Sequence, residues 1–120
     1  MNEDVFNNFL TDWRDPTNCT SDYYHTCSSV FTVPETPMGF QQPKSGDGFV
    51  GIACEVYSPP NITNYGREYV QSKLIDTLKS GKQYCVSFFV NVPDGIKYTT
   101  SRIGMYLGDA IPSIISCPPQ

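Results

Sequence analysis

The stretch from Gln83 to Val92 constrains the fold of this chain more than any other feature of its sequence. Apolar side chains occupy every second position of it, which is the period of an extended strand. One face of such a strand would be wholly apolar, with Tyr84, Val86, Phe88, Val90 and Val92. The sequence therefore predicts a core strand here, in which Phe88→Ala would cost about 3–5 kcal/mol.

Several other stretches are also predicted to form strands, because β-branched and aromatic residues in them are bounded by turn formers. For the stretch 67–74, a helix that continues to Leu78 is the competing interpretation. Residues 1–47 are predicted to be a loop-rich part with one or two short strands. Short strands at this spacing are typical of a β-sandwich or jelly roll. The predicted strands cover residues 48–57, 67–74, 102–108 and 111–115.

The composition agrees with one all-β domain that spans residues 1–120. Glycine and proline are frequent, with 9 and 10 residues, and only 17% of the residues are charged. The net charge of −4, with 8 scattered Lys and Arg residues, argues against a nucleic-acid partner. No apolar run approaches the roughly 20 residues that cross a bilayer, so no membrane insertion is expected. The residues after Met1 do not form an export signal.

The five cysteines favour disulfides over zinc, because no Cys-x-x-Cys pair occurs and His25 is the single histidine. Disulfides would place the protein outside the cell or at its surface. We predict one between Cys19 and Cys27, and a second between Cys54 and Cys85 if their strands pair. The odd number leaves at least one thiol free or bonded to another chain.

Two sets of residues resemble known protein families. The motif Trp13-x-x-Pro16-Thr17-x-x-Thr20-Ser21-Asp22-Tyr23-Tyr24-x-x-Cys27 and the later Arg67-Glu68-Tyr69-Val70-Gln71 resemble the N-terminal domain of certain bacterial surface proteins. Those proteins often carry a C-terminal outer-membrane-protein-A-type domain that binds peptidoglycan. The stretch Leu78-x-x-Gly81-x-x-Tyr84-Cys85-Val86-Ser87-Phe88 is similar to the wider galactose-binding-like jelly rolls. The resemblance implies an all-β jelly roll, a β-sandwich of the galactose-binding-like class.

The chain departs from the resembled family at both ends. Residues 5–9 are a degraded substitute for the family's opening strand, and family members continue past the position of Gln120. A jelly roll has about eight strands, whereas five or six can be placed here. The sheet is therefore predicted to be incomplete, with an open edge near residues 102–107 or 111–115 and with Ile111, Ile114 and Ile115 at the contact.

The polar residues do not form a recognisable catalytic or cofactor site, so the protein is not expected to be an enzyme or to carry a cofactor. His25 is expected to make an ordinary hydrogen bond in a loop, and Glu68 an ion pair. The carboxylates Asp12, Asp15 and Asp22 are expected to form caps and Asx-turns. The alternative is a structural calcium ion, which jelly rolls of the resembled class often carry.

Two functions remain open from the sequence. The first is a non-catalytic binding module at the cell surface, whose partner is a glycan that stacks on exposed loop aromatics. The second is a structural subunit whose open sheet edge packs against other copies, as a homo-oligomer, or against a partner protein. Trp13 is expected in the core. The residues predicted to bind the ligand are Tyr24, Phe40, Tyr57 and Tyr65.

Overall fold

A computed structural model describes residues 10–17, 19–54, 67–97 and 99–111 of the chain. Within these ranges the chain forms short antiparallel strands and no helix, so the all-β prediction is confirmed at this level and the helical alternative near Leu78 is wrong. The strands are β1 (Trp13–Arg14), β2 (Asp22–His25), β3 (Glu35–Thr36), β4 (Gly39–Phe40), β5 (Gly48–Gly51) and β6 (Gln71–Ser72).

The strands are arranged as three separate antiparallel pairs. β1 pairs with β6, β2 with β5, and β3 with β4. The longest pairing places Tyr24 of β2 opposite Phe49 of β5. Each pair is two-stranded, and an isolated two-stranded ribbon is marginally stable in water. Packing and side-chain hydrogen bonds must therefore hold the pairs in place.

The core of the described residues lies on the β2–β5 pair. Tyr24 is 4% exposed and Val33 is 8% exposed. The Tyr24 ring stacks on Phe49 with centroids 5.0 Å apart and meets the edge of Phe31 at 5.4 Å. Such aromatic pairs stabilise by about 0.5–1.5 kcal/mol beyond the area that they bury.

The β3–β4 pair is a tight hairpin shaped by Thr36 and Gly39. The Thr36 hydroxyl donates to the Gly39 carbonyl at 2.8 Å and accepts from the Met38 amide at 3.1 Å. Gly39 has a φ of 130°, and a β-carbon there would lie 2.7 Å from the Asp94 carboxylate. Both conditions favour glycine at this position.

The predicted core strand over residues 83–92 is absent from the structure. Every described residue from 72 to 111 is exposed, and Phe88 keeps 52% of its surface exposed. No strand is assigned between residues 73 and 97 or between 99 and 111. The prediction was wrong because alternation reports an apolar face but not a partner that covers it.

The other strand predictions hold in part. β5 begins the predicted strand 48–57, of which residues 55–57 lie outside the described ranges, and β6 lies in the stretch 67–74. The predicted strand 102–108 is not formed. The described residues of the N-terminal part form four short strands before residue 47, more than the one or two expected. Trp13 is 46% exposed in β1, so its predicted core position is wrong.

Candidate functional site

Of the four aromatic residues predicted to bind a glycan, the two in the described part of the chain, Tyr24 and Phe40, do not share an exposed surface. Tyr24 is buried between Phe31 and Phe49, so its ring has no face left for a sugar and this prediction is wrong. Phe40 in β4 is 60% exposed. Tyr57 and Tyr65 lie outside the described residues.

Asp15 organises the turn that connects β1 to β2. Its carboxylate accepts hydrogen bonds from the Thr17 amide at 2.7 Å, the Thr17 hydroxyl at 2.6 Å and the Ser21 amide at 3.2 Å. All three residues are buried. The bond to the Thr17 amide two residues on is an Asx-turn, so the predicted structural role of this carboxylate is confirmed for Asp15.

Glu68 joins three parts of the chain. Its backbone amide donates to the Ala53 carbonyl at 2.9 Å, and its carboxylate accepts from the Ala53 amide at 2.6 Å. The other carboxylate oxygen accepts from the Thr20 hydroxyl at 3.1 Å. Glu68 thus binds neutral donors, and the ion pair predicted for it is not found among the described residues.

Asp22 and Glu68 form a pair of like charges beside the aromatic core. Partial burial raises the pKa of the Asp22 carboxyl, and the Glu68 carboxylate raises it further. The Tyr24 hydroxyl, which donates to Asp22 at 3.5 Å, acts in the opposite direction. Burial and the Asp22 charge also raise the pKa of the Tyr24 hydroxyl. The sequence alone does not reveal this pair, because its members lie 46 positions apart and only the fold brings them together.

The described residues contain no group of three or more His, Cys, Asp or Glu side chains that could hold a metal ion. Asp12 is exposed, and its carboxylate accepts a hydrogen bond from the Thr11 hydroxyl at 3.3 Å. His25 lies in β2 rather than in a loop, and its Nδ1 accepts from the Cys27 amide at 3.0 Å. That contact is the ordinary hydrogen bond expected of it.

The cysteines differ from the predicted pairing. Cys27, Cys54 and Cys85 carry free thiols, so neither the Cys19–Cys27 disulfide nor the Cys54–Cys85 disulfide is formed. Cys19 is disulfide-bonded, with none of these three as its partner. The sequence correctly predicted a bonded Cys19 but named the wrong partner, since spacing does not fix connectivity.

The most extensive feature without a structural explanation is the apolar stretch 74–111. Large apolar side chains along it are exposed, among them Phe89, Val90 and Tyr106. Ile111, the first residue of the predicted assembly edge, is 77% exposed, whereas Ile114 and Ile115 lie outside the described residues. Exposed apolar side chains in such number are typical of an interaction surface.

Side-chain contacts fix this stretch to the β3–β4 hairpin. The Asp94 carboxylate accepts from the Phe40 amide at 3.1 Å, and the Asn91 amide group donates to the Gln41 side chain. The Lys44 ammonium lies 4.7 Å from the centre of the Phe89 ring, within the range of a cation–π contact. The apolar stretch is therefore held at a defined place while its side chains stay exposed.

No protein-family model, curated protein or solved structure matches this chain. Among the described residues, no helix has the length and apolar character needed to cross a membrane.

Proposed function

We propose that this chain is a non-catalytic structural subunit that assembles with other copies through the apolar stretch 74–111. The observation that carries the proposal is the exposure of every described residue from 72 to 111, including large apolar side chains. Burying such side chains against another protein would release about 25 cal/mol for each Å² removed from water. Every copy of the chain presents the same surface, so self-association is the simplest use of it.

The surface area of the chain supports the same proposal. The chain exposes 10516 Å², whereas a folded monomer of 13.4 kDa exposes about 6,500 Å². The difference of about 4,000 Å² exceeds the 1,200–2,000 Å² that a standard protein interface buries. A subunit of an assembly can carry such a surface, whereas an isolated soluble domain is expected to aggregate with it.

The proposed subunit belongs to the jelly-roll class, of the galactose-binding-like kind, and acts outside the cell or at its surface. The sequence resemblance and the all-β architecture support the class, and the disulfide at Cys19 supports the location. Association would supply neighbours for the stretches 83–92 and 102–108, whose sequences are typical of strands but which have no strand partner among the described residues.

Sedimentation at several concentrations tests the assembly. We expect the parent chain to associate, and Ile111→Lys to weaken the association about tenfold, because a lysine would have to be desolvated at the contact. Val30→Lys is the matched control, since Val30 is also apolar and 66% exposed but lies outside the apolar stretch. A parent that stays monomeric at every concentration would overturn the proposal.

Glycan binding is the second candidate, and the exposed ring of Phe40 in β4 supports it. Titration calorimetry with galactose and with soluble peptidoglycan fragments tests it. Binding that Phe40→Ala abolishes and Val30→Ala preserves would support a glycan site at β4. If the parent shows no heat of binding with either kind of sugar, the proposal of a glycan site for these sugars is contradicted.

A further inference from the structure

The backbone of residues 83–92 is free of turns and bends and is open to pairing. No turn or bend interrupts the chain from residue 82 to 93, and turns lie on either side, at residues 80–81 and 94–95. Among the described residues, no backbone group of segment 83–92 bonds to another backbone group. The Val92 carbonyl accepts from the Asn91 side chain at 3.2 Å. The other N–H and C=O groups of the segment have no bond to a described residue, and such a row of groups is the template that another strand uses.

The contacts that hold segment 83–92 come from side chains. Asn91 reaches Gln41, Phe89 meets Lys44, and Asp94 beyond the segment binds the Phe40 amide. Apart from the bond that the Asn91 side chain makes to the Val92 carbonyl, these contacts leave the backbone donors and acceptors of the segment unused. A segment already ordered loses less entropy when a partner strand binds to it.

The sequence of the segment is symmetric about Phe88 in the way that an antiparallel pair with itself requires. In that register Phe88 faces Phe88, Val86 faces Val90, and Tyr84 faces Val92. One face of the two-stranded ribbon would be apolar throughout, and direct apolar pairs stabilise by about 0.2–1 kcal/mol each. No residue from 83 to 92 is charged, so the two copies do not repel each other along it.

The charges next to the segment agree with the same register. Lys82 and Asp94 lie six residues before and six residues after Phe88. An antiparallel pair centred on Phe88 therefore brings Lys82 of one copy to the end of the ribbon where Asp94 of the other copy begins the turn at residues 94–95, and the twofold axis repeats this contact at the opposite end. Opposite charges in facing positions stabilise a pair of strands, and like charges destabilise it.

We infer that segment 83–92 pairs antiparallel with the same segment of a second copy, about a twofold axis at Phe88. The inference rests on the proposed function and adds to it the partner, the strand and the register. The contact is isologous, so it closes into a dimer. The unpaired segment of each copy would then become one strand of the interface between the two copies.

Cysteine cross-linking tests the register in the full chain. Phe88→Cys, in a background where Cys27, Cys54 and Cys85 are serine, should form a disulfide-linked dimer on mild oxidation. Facing residues of an antiparallel pair have Cα atoms about 4.5–5.5 Å apart, within the range of about 4.4–6.8 Å that a disulfide spans. Val86→Cys in the same background is the control, because its copies would lie about 13 Å apart along the ribbon.

Charge reversal tests the register a second way and does not depend on the apolar face. Lys82→Asp and Asp94→Lys should each weaken self-association about tenfold, because each places two like-charged pairs across the axis. A mixture of the two variants should regain association as a heterodimer, in which both facing pairs are again opposite in charge. Lys73→Asp, an exposed lysine away from the segment, should change little.

The outcomes separate this inference from the proposed function. A monomeric parent would overturn both. If the parent associates but Phe88→Cys does not cross-link and the mixed charge variants do not recover, the register is wrong while assembly through another part of the stretch 74–111 stands.

Discussion

Gly51 has no room for a β-carbon, because the Tyr24 ring covers it. A β-carbon at Gly51 would lie 2.9 Å from Cε2 of Tyr24, closer than such contacts occur. Tyr24 cannot move away without losing its stack on Phe49. The absence of a side chain at one residue thus allows the burial of the largest ring in the core.

Gly51→Ala should therefore destabilise the chain by about 1–3 kcal/mol, the usual range for overpacking. Urea denaturation, followed by tyrosine fluorescence, measures the loss. Gly104→Ala is the control, since nothing lies within 4 Å of a β-carbon there, and it should change the free energy of unfolding by less than about 0.5 kcal/mol. Equal effects of the two substitutions would contradict the packing described for Tyr24.

The carboxyl of Asp22 makes stability depend on pH. Its pKa in the folded chain is raised, by burial first and then by Glu68. Between the unfolded and folded pKa values the folded chain holds more protons, so stability falls as pH rises through that window. Asp22→Asn should flatten this part of the stability profile, as measured by denaturation at a series of pH values.

Glu68→Gln separates the two causes. It removes the nearby charge but keeps the burial, so the pKa of Asp22 should fall while remaining above its usual value. Carbon-13 NMR titration of the carboxyl measures it. Glu35→Gln, an exposed carboxylate in β3, should leave the Asp22 titration unchanged. An unchanged titration in Glu68→Gln would contradict the proximity of the two carboxylates.

At the scale of elements, the Asp94 carboxylate connects the apolar stretch to β4. Its bond to the Phe40 amide joins residues 54 positions apart in sequence. Asp94→Ala should speed hydrogen exchange of the Phe40 amide about fivefold, the loss of one hydrogen bond of about 1 kcal/mol. Asp109→Ala should leave that amide unchanged. Equal exchange in parent and Asp94→Ala would mean that the stretch is not held at the hairpin.

Local signals predicted some elements and not others. The β-branched and aromatic residues from Gly48 onward predicted β5, and rough alternation placed β6 within residues 67–74. β2 was not predicted, because Tyr23 and Tyr24 are adjacent and do not alternate with polar residues. Tyr24 was interpreted as a loop residue for the same reason, although its ring is at the centre of the core. The Asp15 turn could be predicted, because an Asx-turn depends only on residues close in sequence.

At the scale of the whole molecule, the strongest pattern in the sequence, segment 83–92, lies within the exposed apolar stretch 74–111. Alternation over 83–92 predicts that one face of the segment is buried. Within one copy, however, the described residues leave that face exposed. In the proposed dimer, a second copy would cover this apolar face. Periodicity is a property of one chain, whereas burial is a property of the assembly.

The stability of the molecule should therefore depend on its concentration. If copies associate only when folded, mass action stabilises the folded state as concentration rises, and the urea midpoint of the parent should rise with it. Phe88→Ala should remove most of this dependence, because the proposed twofold axis passes through that residue. In a dilute solution the substitution should cost about 1 kcal/mol or less, since Phe88 is 52% exposed within one copy.

Val30→Ala, which shortens an equally apolar and exposed side chain elsewhere, should keep the concentration dependence of the parent. The contrary result is equally clear. A loss of about 3–5 kcal/mol in Phe88→Ala that is the same at every concentration would be the cost of emptying a core site. In that case Phe88 would lie in the interior of a single copy, and segment 83–92 would be a strand of the monomer rather than of the interface.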